Sequence, residues 1–392
     1  MDINRERKIG GAHIIATLLA IAFFAVGWIV FKVRGSDEVK TDVITPANES
    51  VSVADKLPMK LNVANRPKPL PVSMDRLKAQ GCVTDGLLSE YNPDWQEYAS
   101  LINRSNCYYL HRAIETWLTP PDFETINFEM GQITKKDVVY GMFIAEAINT
   151  KAKYYNNNES RYFDFEKMCR KGSIGAWGDN TCKPTFASKE YRAYVAYITH
   201  WAIDLGVQSF TFGQIYMQEA SGKNYAQEII NDMRQYAKLH GVNIVIGAQT
   251  GNITDENYLG FFDYIEGGVG LSDAGTVEDG PCLSTRGGCW ALLWHQNFAS
   301  KAKNVLLHLD WTGIKSDDLD IFARMTPEKR SETLKFLYAK FNSGKTGFLM
   351  PMFGVLANDN EGCRGPKRKF YSSDAQYSCA DETIINKILL KK

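Results

Sequence analysis

Short apolar runs alternate with amphipathic stretches throughout residues 73–392. The runs are nearly continuous in apolar residues, as in strands that are buried on both faces of a parallel sheet. They predict seven strands, within Cys107–Trp117, Val138–Glu146, Val207–Gln214, Val242–Gln249, Asp263–Gly268, Asn304–Trp311 and Gly347–Phe353. An eighth strand is expected within residues 157–177.

Helical spacing separates these runs. The predicted helices are Asp122–Ile133, Ser188–Leu205, Tyr225–His240 closed by Gly241, Thr254–Phe262, Trp290–Lys303, a helix opened by Thr326 and Pro327, and Asp381–Leu390. Seven or eight strands alternating with helices predict an α/β fold, a (β/α)8 TIM-type barrel. A doubly wound open sheet is the alternative, but the chain lacks its Gly-rich phosphate loop, G-x-G-x-x-G.

The N-terminus carries a long apolar segment. Ile9–Phe31 contains no Asp, Glu, Lys or Arg. At about 1.5 Å per residue, such a helix reaches roughly 35 Å, enough to cross a hydrocarbon core of about 30 Å. No A-x-A cleavage pattern follows, so residues 1–34 are predicted to hold a single transmembrane helix acting as an uncleaved signal anchor. A cleaved leader remains the alternative.

Residues 35–72 differ in composition from the rest of the chain. They hold five of the 13 prolines, and no aromatic residue occurs between Lys32 and Glu90. A segment with so few large apolar side chains cannot offset its chain entropy by burial. We therefore expect a disordered, extended linker over residues 35–72 and a barrel domain over residues 73–392.

All eight cysteines follow the apolar segment. They fall into four sequence-local pairs, which are Cys82 with Cys107, Cys169 with Cys182, Cys282 with Cys289, and Cys363 with Cys379. This pattern predicts disulfides and places the domain outside the cytosol, in the periplasm or outside the cell. Pairing in sequence order is one of 105 connectivities. A zinc site is a weak alternative because no C-x-x-C or H-x-x-x-H spacing occurs, so neither a metal nor a cofactor is expected. A formal net charge of zero argues against nucleic acid as a partner.

Polar residues mark the ends of the apolar runs, where a barrel carries its reacting groups. They are Glu115, Glu146, Gln214, Gln249, Glu266 and Asp310, with Glu219 just beyond Gln214. Indole rings, which stack on the apolar faces of sugars, lie at or just after predicted strand ends or in the connecting loops, at Trp117, Trp177, Trp290, Trp294 and Trp311. For Trp290 and Trp294, which are four residues apart, the core-facing side of a helix is the favoured interpretation. A cleft lined by acids, amides and indoles favours a carbohydrate ligand.

The chain resembles TIM-barrel glycoside hydrolases in the order of three segments. These are Ser188-Lys-Glu-Tyr-Arg before a helix, Phe210–Gln214, and Leu309-Asp-Trp311 followed by Asp317-Asp318. The resemblance covers most of residues 107–390 as architecture and matches no particular family. It implies two catalytic carboxylates on different strand ends. The chain departs from the commonest pattern in having Gln214 where an Asn-Glu pair is usual.

Within that resemblance, each polar residue has an expected role. Glu266, followed by two glycines, is predicted to be the general acid with a raised pKa, and Asp310 the nucleophile or base. Glu146 is the reserve for either role, and His308 is expected to be a satisfied core residue. The predicted substrate-binding residues are Gln214, Gln249, Trp311, Glu115, Trp117 and Glu219.

The expected function is that of a membrane-anchored, extracytoplasmic glycoside hydrolase-like protein that acts on a polysaccharide. The alternative is a non-catalytic, membrane-tethered protein that binds glycans or assists polysaccharide assembly on a degenerate barrel. The membrane, through the N-terminal helix, and a carbohydrate are the expected partners.

Overall fold

The computed structural model describes residues 68–89, 94–220, 222–249, 253, 255–272, 275–277, 302–311, 317–356, 361–366 and 369–390. In this part of the chain, no helix combines the length and apolarity needed to span a bilayer. The structure does not describe the predicted anchor Ile9–Phe31 or the predicted pair Cys282–Cys289. Of the predicted helix Trp290–Lys303, all but the last two residues lie outside the described residues.

A curled, mainly parallel sheet of ten strand segments forms the centre of the fold. The strands are β1 Gly81–Thr84, β2 Tyr109–Glu115, β3 Val139–Ile144, β4 Ser209–Phe212, β5 Val245–Gln249, β6 Tyr264–Gly268, β7 Val305–His308, β8 Thr346–Phe348, β9 Met350–Val355 and β10 Phe370–Ser372. Their order is β8-β7-β6-β5-β4-β3-β2-β1-β9-β10, and only β10 runs antiparallel to its neighbour. The predicted α/β class is confirmed, and the sheet is curled and mainly parallel.

The strands β8 and β9 are adjacent in the chain but lie near opposite ends of the strand order. β8 pairs with β7, matching Thr346 to Val305, whereas β9 pairs with β1, matching Met350 to Cys82. Only Leu349 separates β8 from β9, and its backbone N–H donates to the carbonyl of Leu307 at 2.7 Å. One nearly continuous stretch of chain therefore borders β7 at its beginning and β1 at its end.

The seven predicted strands are confirmed, with shorter bounds, but the eighth was placed wrongly. It is β1, whose four residues carry no long apolar run that could have identified it. The predicted region, residues 157–177, instead contributes to a small hairpin of Tyr155–Asn156 with Arg161–Tyr162 and to the 3₁₀ turn Phe165–Met168. The disulfides Cys82–Cys107, Cys169–Cys182 and Cys363–Cys379 match the predicted pairs.

Helices flank the strands. They are α1 Met74–Ala79, α2 Trp95–Arg104, α3 Phe123–Gln132, α4 Lys189–Asp204, α5 Ile215–Gln218, α6 Tyr225–His240, α7 Glu256–Leu259, α8 Asp318–Ala323, α9 Pro327–Phe341 and α10 Glu382–Leu389. Ser188 caps α4 by accepting from the Tyr191 N–H, and Gly241, with a φ of 70°, ends α6 as its sequence predicts. The predicted helix Thr254–Phe262 shortens to the four residues of α7.

A group of hydrogen-bonded hydroxyls lies in the interior of the curled sheet. The hydroxyl of Tyr264 lies 2.7 Å from the Thr211 hydroxyl, 2.9 Å from that of Ser209 and 3.3 Å from that of Tyr109. Gly247 makes room for this arrangement, because a Cβ at this position would overlap the Tyr264 ring. Each buried hydroxyl therefore has partners, as burial requires.

The chain enters the domain at the amino ends of the central strands. The side-chain amide of Gln208, just before β4, donates to the Leu70 carbonyl at 2.8 Å. The Val72 N–H donates to Oδ1 of Asn243, just before β5, at 3.0 Å. The last residues of the predicted linker thus contact the end of the sheet opposite to the predicted catalytic residues.

Candidate active site at the carboxyl ends of the strands

Arg112 occupies a bulge in β2. The register between β2 and β3 shifts between Leu110 and Ile114, and Arg112 has a φ of 55°. Bulges redirect side chains, and the guanidinium here lies 3.7 Å from the centre of the Phe143 ring and 4.7 Å from that of Trp311. A cation is thereby placed among aromatic rings at the end of the sheet where the predicted site residues lie.

Glu115 pairs with this cation. Arg112 donates to Oε2 of Glu115 from Nε at 2.9 Å and from a terminal nitrogen at 2.5 Å. Oε1 accepts from the backbone N–H groups of Thr116 at 2.9 Å and Trp117 at 3.1 Å. Burial raises the pKa of Glu115 to about 7 and outweighs the opposing effect of Arg112. Burial also opposes the charge on Arg112, but Glu115 and Asp85 together raise the pKa of its guanidinium, so it stays charged.

Glu146 lies beyond the end of β3 and contacts Gln214, which follows β4. The Gln214 amide donates to Oε1 of Glu146 at 2.8 Å, and Oε2 is buried without a hydrogen-bond partner. Glu146 packs against Gly213, where a Cβ would overlap Oε2, and Gln214 adopts a left-handed φ of 37°. Burial raises the pKa of Glu146. The local backbone therefore brings an acid and an amide together, as predicted for neighbouring strand ends.

Asp310 follows β7. Its Oδ1 accepts from the Trp311 N–H at 3.0 Å, and its Oδ2 is buried without a hydrogen-bond partner. Burial, together with the nearby carboxyls of Asp318 and Asp317, raises the pKa of Asp310 well above its ordinary value. Gly268 of β6 allows this approach, since a Cβ there would lie 3.0 Å from the Asp310 Cβ.

Glu266 is wholly enclosed. Its Oε2 lies 3.0 Å from Nε2 of His111, and both side chains have no exposed surface. Burial alone would raise its pKa, but His111, followed by His308 and Arg112, lowers it to about 2. The predicted rise in the pKa of Glu266 is therefore wrong, because the neighbouring imidazoles outweigh burial. Burial lowers the pKa of His308 to about 3, so its ring is neutral.

A metal ion is a chemical possibility at this cluster. His111, Glu266 and His308 each offer one nitrogen or oxygen, and these atoms lie within 4.8 Å of one another. Sequence patterns could not reveal the cluster, because its members lie on three strands and share no metal-binding spacing.

Of the other predicted substrate-binding residues, Gln249, Trp311 and Trp117 lie at or near strand ends, whereas Glu219 does not. Gln249 is buried at the end of β5, and Trp311 is nearly buried beside His308, with ring centroids 4.7 Å apart. Trp117 is half-buried, and its ring meets that of Trp177 edge-on at 5.1 Å. Glu219 instead accepts from the N–H groups of Tyr225 and Ala226 at the start of α6 and from the hydroxyl of Tyr258 on α7. Trp290 and Trp294 lie outside the described residues.

Arg112 is the residue common to most of the site. Its charge acts on five carboxyls, those of Asp85, Glu115, Glu146, Glu266 and Asp310. Five buried carboxyls around one guanidinium cannot all ionise cheaply, so the pKa values of Glu115, Glu146 and Asp310 are raised while that of Glu266 is lowered. Sequence reasoning missed Arg112, Asp85 and the role of His111. The one available signal was the pair His111-Arg112 inside an otherwise apolar strand.

No protein-family model and no curated protein matches the chain. Among solved structures, it is similar to the GH113 β-mannanase of Alicyclobacillus acidocaldarius (11% identity, TM-score 0.44), over 79% of this chain and 96% of that one. It is similar to a cyclic α-maltosyl-(1→6)-maltose hydrolase of Arthrobacter globiformis (13% identity, TM-score 0.44), over 79% and 76%. A GH27 β-L-arabinopyranosidase of Geobacillus stearothermophilus matches at 12% identity and a TM-score of 0.32, over 49% of this chain and 54% of that one. The chain thus spans about half the length of the arabinopyranosidase.

These solved structures are glycoside hydrolases with TIM-barrel-type folds, in line with the resemblance stated from the sequence. They point to no single family. At such identities and scores, none of the matches assigns an activity to the chain.

Proposed function

We propose that the protein is a membrane-anchored, extracytoplasmic glycoside hydrolase-like protein that acts on a polysaccharide at the carboxyl ends of a closed (β/α)8 barrel. Closure is supported by the pairing of β8 with β7 and of β9 with β1, with Leu349 alone between them. The three disulfides support an oxidising compartment. The half-buried indoles of Trp117 and Trp177 support a carbohydrate ligand.

One observation carries the hydrolytic proposal. Glu146 and Asp310, from different strand ends, each keep one carboxyl oxygen buried and without a hydrogen-bond partner, and both lie within electrostatic reach of Arg112. Glycoside hydrolysis needs two carboxyls, one to protonate the glycosidic oxygen and one to attack the sugar or activate water. We assign Glu146 and Asp310 to this pair. Glu266 lies deeper, enclosed by imidazoles, and is not assigned to it.

Single substitutions test the pair. Glu146→Gln and Asp310→Asn should each lower the release of reducing ends from a panel of cell-surface and exopolysaccharides by at least about 100-fold. Glu129→Gln is the matched control, because Glu129 is a buried carboxyl on α3, outside the strand-end cluster. If both site variants cleave at the parental rate, the assignment is wrong. Rescue of one variant by azide, with formation of a glycosyl azide, would identify the nucleophile.

A second candidate is a non-catalytic glycan-binding protein. Two of the strand ends carry amides, at Gln214 and Gln249, and the Gln214 amide already engages one oxygen of Glu146. A binding protein should bind oligosaccharides without releasing any product, and its affinity should be unchanged in Glu146→Gln and Asp310→Asn. Binding and product release measured on the same samples separate the two functions.

A further inference from the structure

Three residues far apart in the chain converge inside the sheet below the proposed catalytic pair. His111 lies on β2, Glu266 on β6 and His308 on β7. β6 and β7 are neighbours that match Gly268 to His308, whereas β2 lies four strands from β6 in the sheet order. All three side chains have no exposed surface. Whatever joins them therefore joins opposite parts of the sheet.

The polar atoms that meet here have no hydrogen-bond partners. Nε2 of His111, Nε2 of His308 and both carboxylate oxygens of Glu266 are buried and unpartnered. The 3.0 Å contact between His111 and Glu266 does not direct the ring N–H along a hydrogen bond. Each buried polar atom without a partner costs roughly 1–3 kcal/mol, and more when it is charged. Four such atoms in one cluster call for a shared partner.

The other ring nitrogens are already engaged. Nδ1 of His308 lies 3.2 Å from the Leu309 carbonyl, which can only accept, so Nδ1 carries the hydrogen and Nε2 presents a lone pair. Nδ1 of His111 lies 2.9 Å from the Tyr109 hydroxyl. A backbone carbonyl on the remote nitrogen, as at His308, is a usual support of a metal-binding histidine, because it fixes the ring and its tautomer.

From this geometry we propose a site for one divalent transition-metal ion, held by Nε2 of His111, Nε2 of His308 and the carboxylate of Glu266. The ligand atoms lie within 4.8 Å of one another, and two imidazoles with one carboxylate suit zinc and its neighbours in the first transition row. Three protein ligands leave a coordination position for water or another oxygen. Arg112 does not repel the ion strongly, because Glu115 balances the guanidinium charge.

An ion pair between His111 and Glu266 is the competing explanation. It would use one nitrogen of His111 and one oxygen of Glu266, and it leaves Nε2 of His308 unpartnered in a cluster whose ligand atoms lie within 4.8 Å of one another. Two acceptors facing each other in a buried site repel unless a cation lies between them. The ion pair therefore explains only part of the cluster.

Metal binding by the tag-free, full-length protein in detergent tests the site. After dialysis against a chelator, the protein should bind one equivalent of Zn²⁺ by calorimetry. His308→Asn and Glu266→Gln should each weaken binding by at least about 100-fold, since loss of a supporting residue alone costs 10–100-fold. His200→Gln is the control, because His200 is a partly exposed histidine on α4 that pairs with Asp232. It should bind as the parent does.

A measurement on the parent protein covers variants that fail to fold. Co²⁺ added to the metal-free protein should give visible absorption bands of a nitrogen- and oxygen-ligated ion at one equivalent, and Zn²⁺ should displace them. If the folded parent binds neither ion stoichiometrically, or if His308→Asn binds with parental affinity, the site is disproved. Neither result depends on whether the protein hydrolyses glycans.

Discussion

Arg112 and Glu115 form an ion pair within a single strand end, in which two guanidinium nitrogens contact the same carboxylate oxygen. Both side chains are largely removed from water. The backbone N–H of Trp117 donates to the other oxygen of the same carboxylate, and the guanidinium lies over the rings of Phe143 and Trp311. The pair therefore links the acidic cluster to the aromatic residues of the site.

Removing this cation should be costly. In Arg112→Met, Glu115 and Asp85 lose the charge that balances them, and a broken buried pair typically costs about 3–5 kcal/mol. Urea unfolding with the disulfides kept oxidised measures the free energy of unfolding. Arg161→Met is the control, because Arg161 is only partly buried and pairs with Glu159 and Glu190. Equal losses in the two variants would show that Arg112 is not the centre of a buried cluster.

Gly213 should tolerate no side chain. A Cβ at this position would overlap Oε2 of Glu146 and approach the Phe143 ring at 2.7 Å. Gly213→Ala should destabilise the protein by about 1–3 kcal/mol and displace Glu146, so that product release or glycan binding falls.

Gly131→Ala is the matched substitution. Gly131 lies in α3 with no atom within 4 Å of a Cβ, so alanine should stabilise the protein by up to about 1 kcal/mol. Thermal unfolding and a glycan-binding assay compare both variants with the parent. Unaltered binding and stability in Gly213→Ala would contradict the close packing of Glu146.

Glu129 on α3 should make the protein less stable as the pH rises. Burial, with a smaller effect of Asp122, raises the pKa of Glu129 from 4.5 to about 7. The folded state then holds a proton that the unfolded state loses, so this residue lowers stability progressively between about pH 4.5 and pH 7, and the cost is complete above that range. Glu129→Gln should be more stable than the parent at pH 8, by about 1 kcal/mol after allowance for solvent screening. The two proteins should be nearly equal at pH 4.

Unfolding curves across this pH range provide the measurement. Glu124→Gln controls for the loss of one negative charge, because Glu124 is exposed in the first turn of the same helix. If the free energies of unfolding of Glu129→Gln and the parent change with pH in the same way, the prediction is wrong.

Peptide mapping without reduction should find Cys82 joined to Cys107, Cys169 to Cys182 and Cys363 to Cys379. Protein from the native source should carry these bonds, because the predicted compartment is oxidising. The same map tests the predicted pair Cys282–Cys289. Free thiols at these positions in freshly isolated protein would argue against an extracytoplasmic domain.

The strands could be predicted because burial on both faces leaves nearly unbroken apolar runs, as in Val305–His308. The same rule fails for Gly81–Thr84, which is short and contains Gly and Thr. Strand ends likewise located Glu146, Gln214 and Asp310. Which carboxyl keeps its proton could not be predicted, because the pKa of Glu266 depends on imidazoles that are distant in the chain.

The chain segment that forms β8 and β9 sets the order in which the sheet can be completed. β1 is among the first strands synthesised, yet its partner Met350 lies near the other end of the chain. Until that segment emerges, β1 and β7 each keep an unpaired edge, and open strand edges invite association between chains. Such distant pairing also slows folding. A chain that stops before Thr346 should therefore aggregate, even though it contains most of the proposed catalytic machinery.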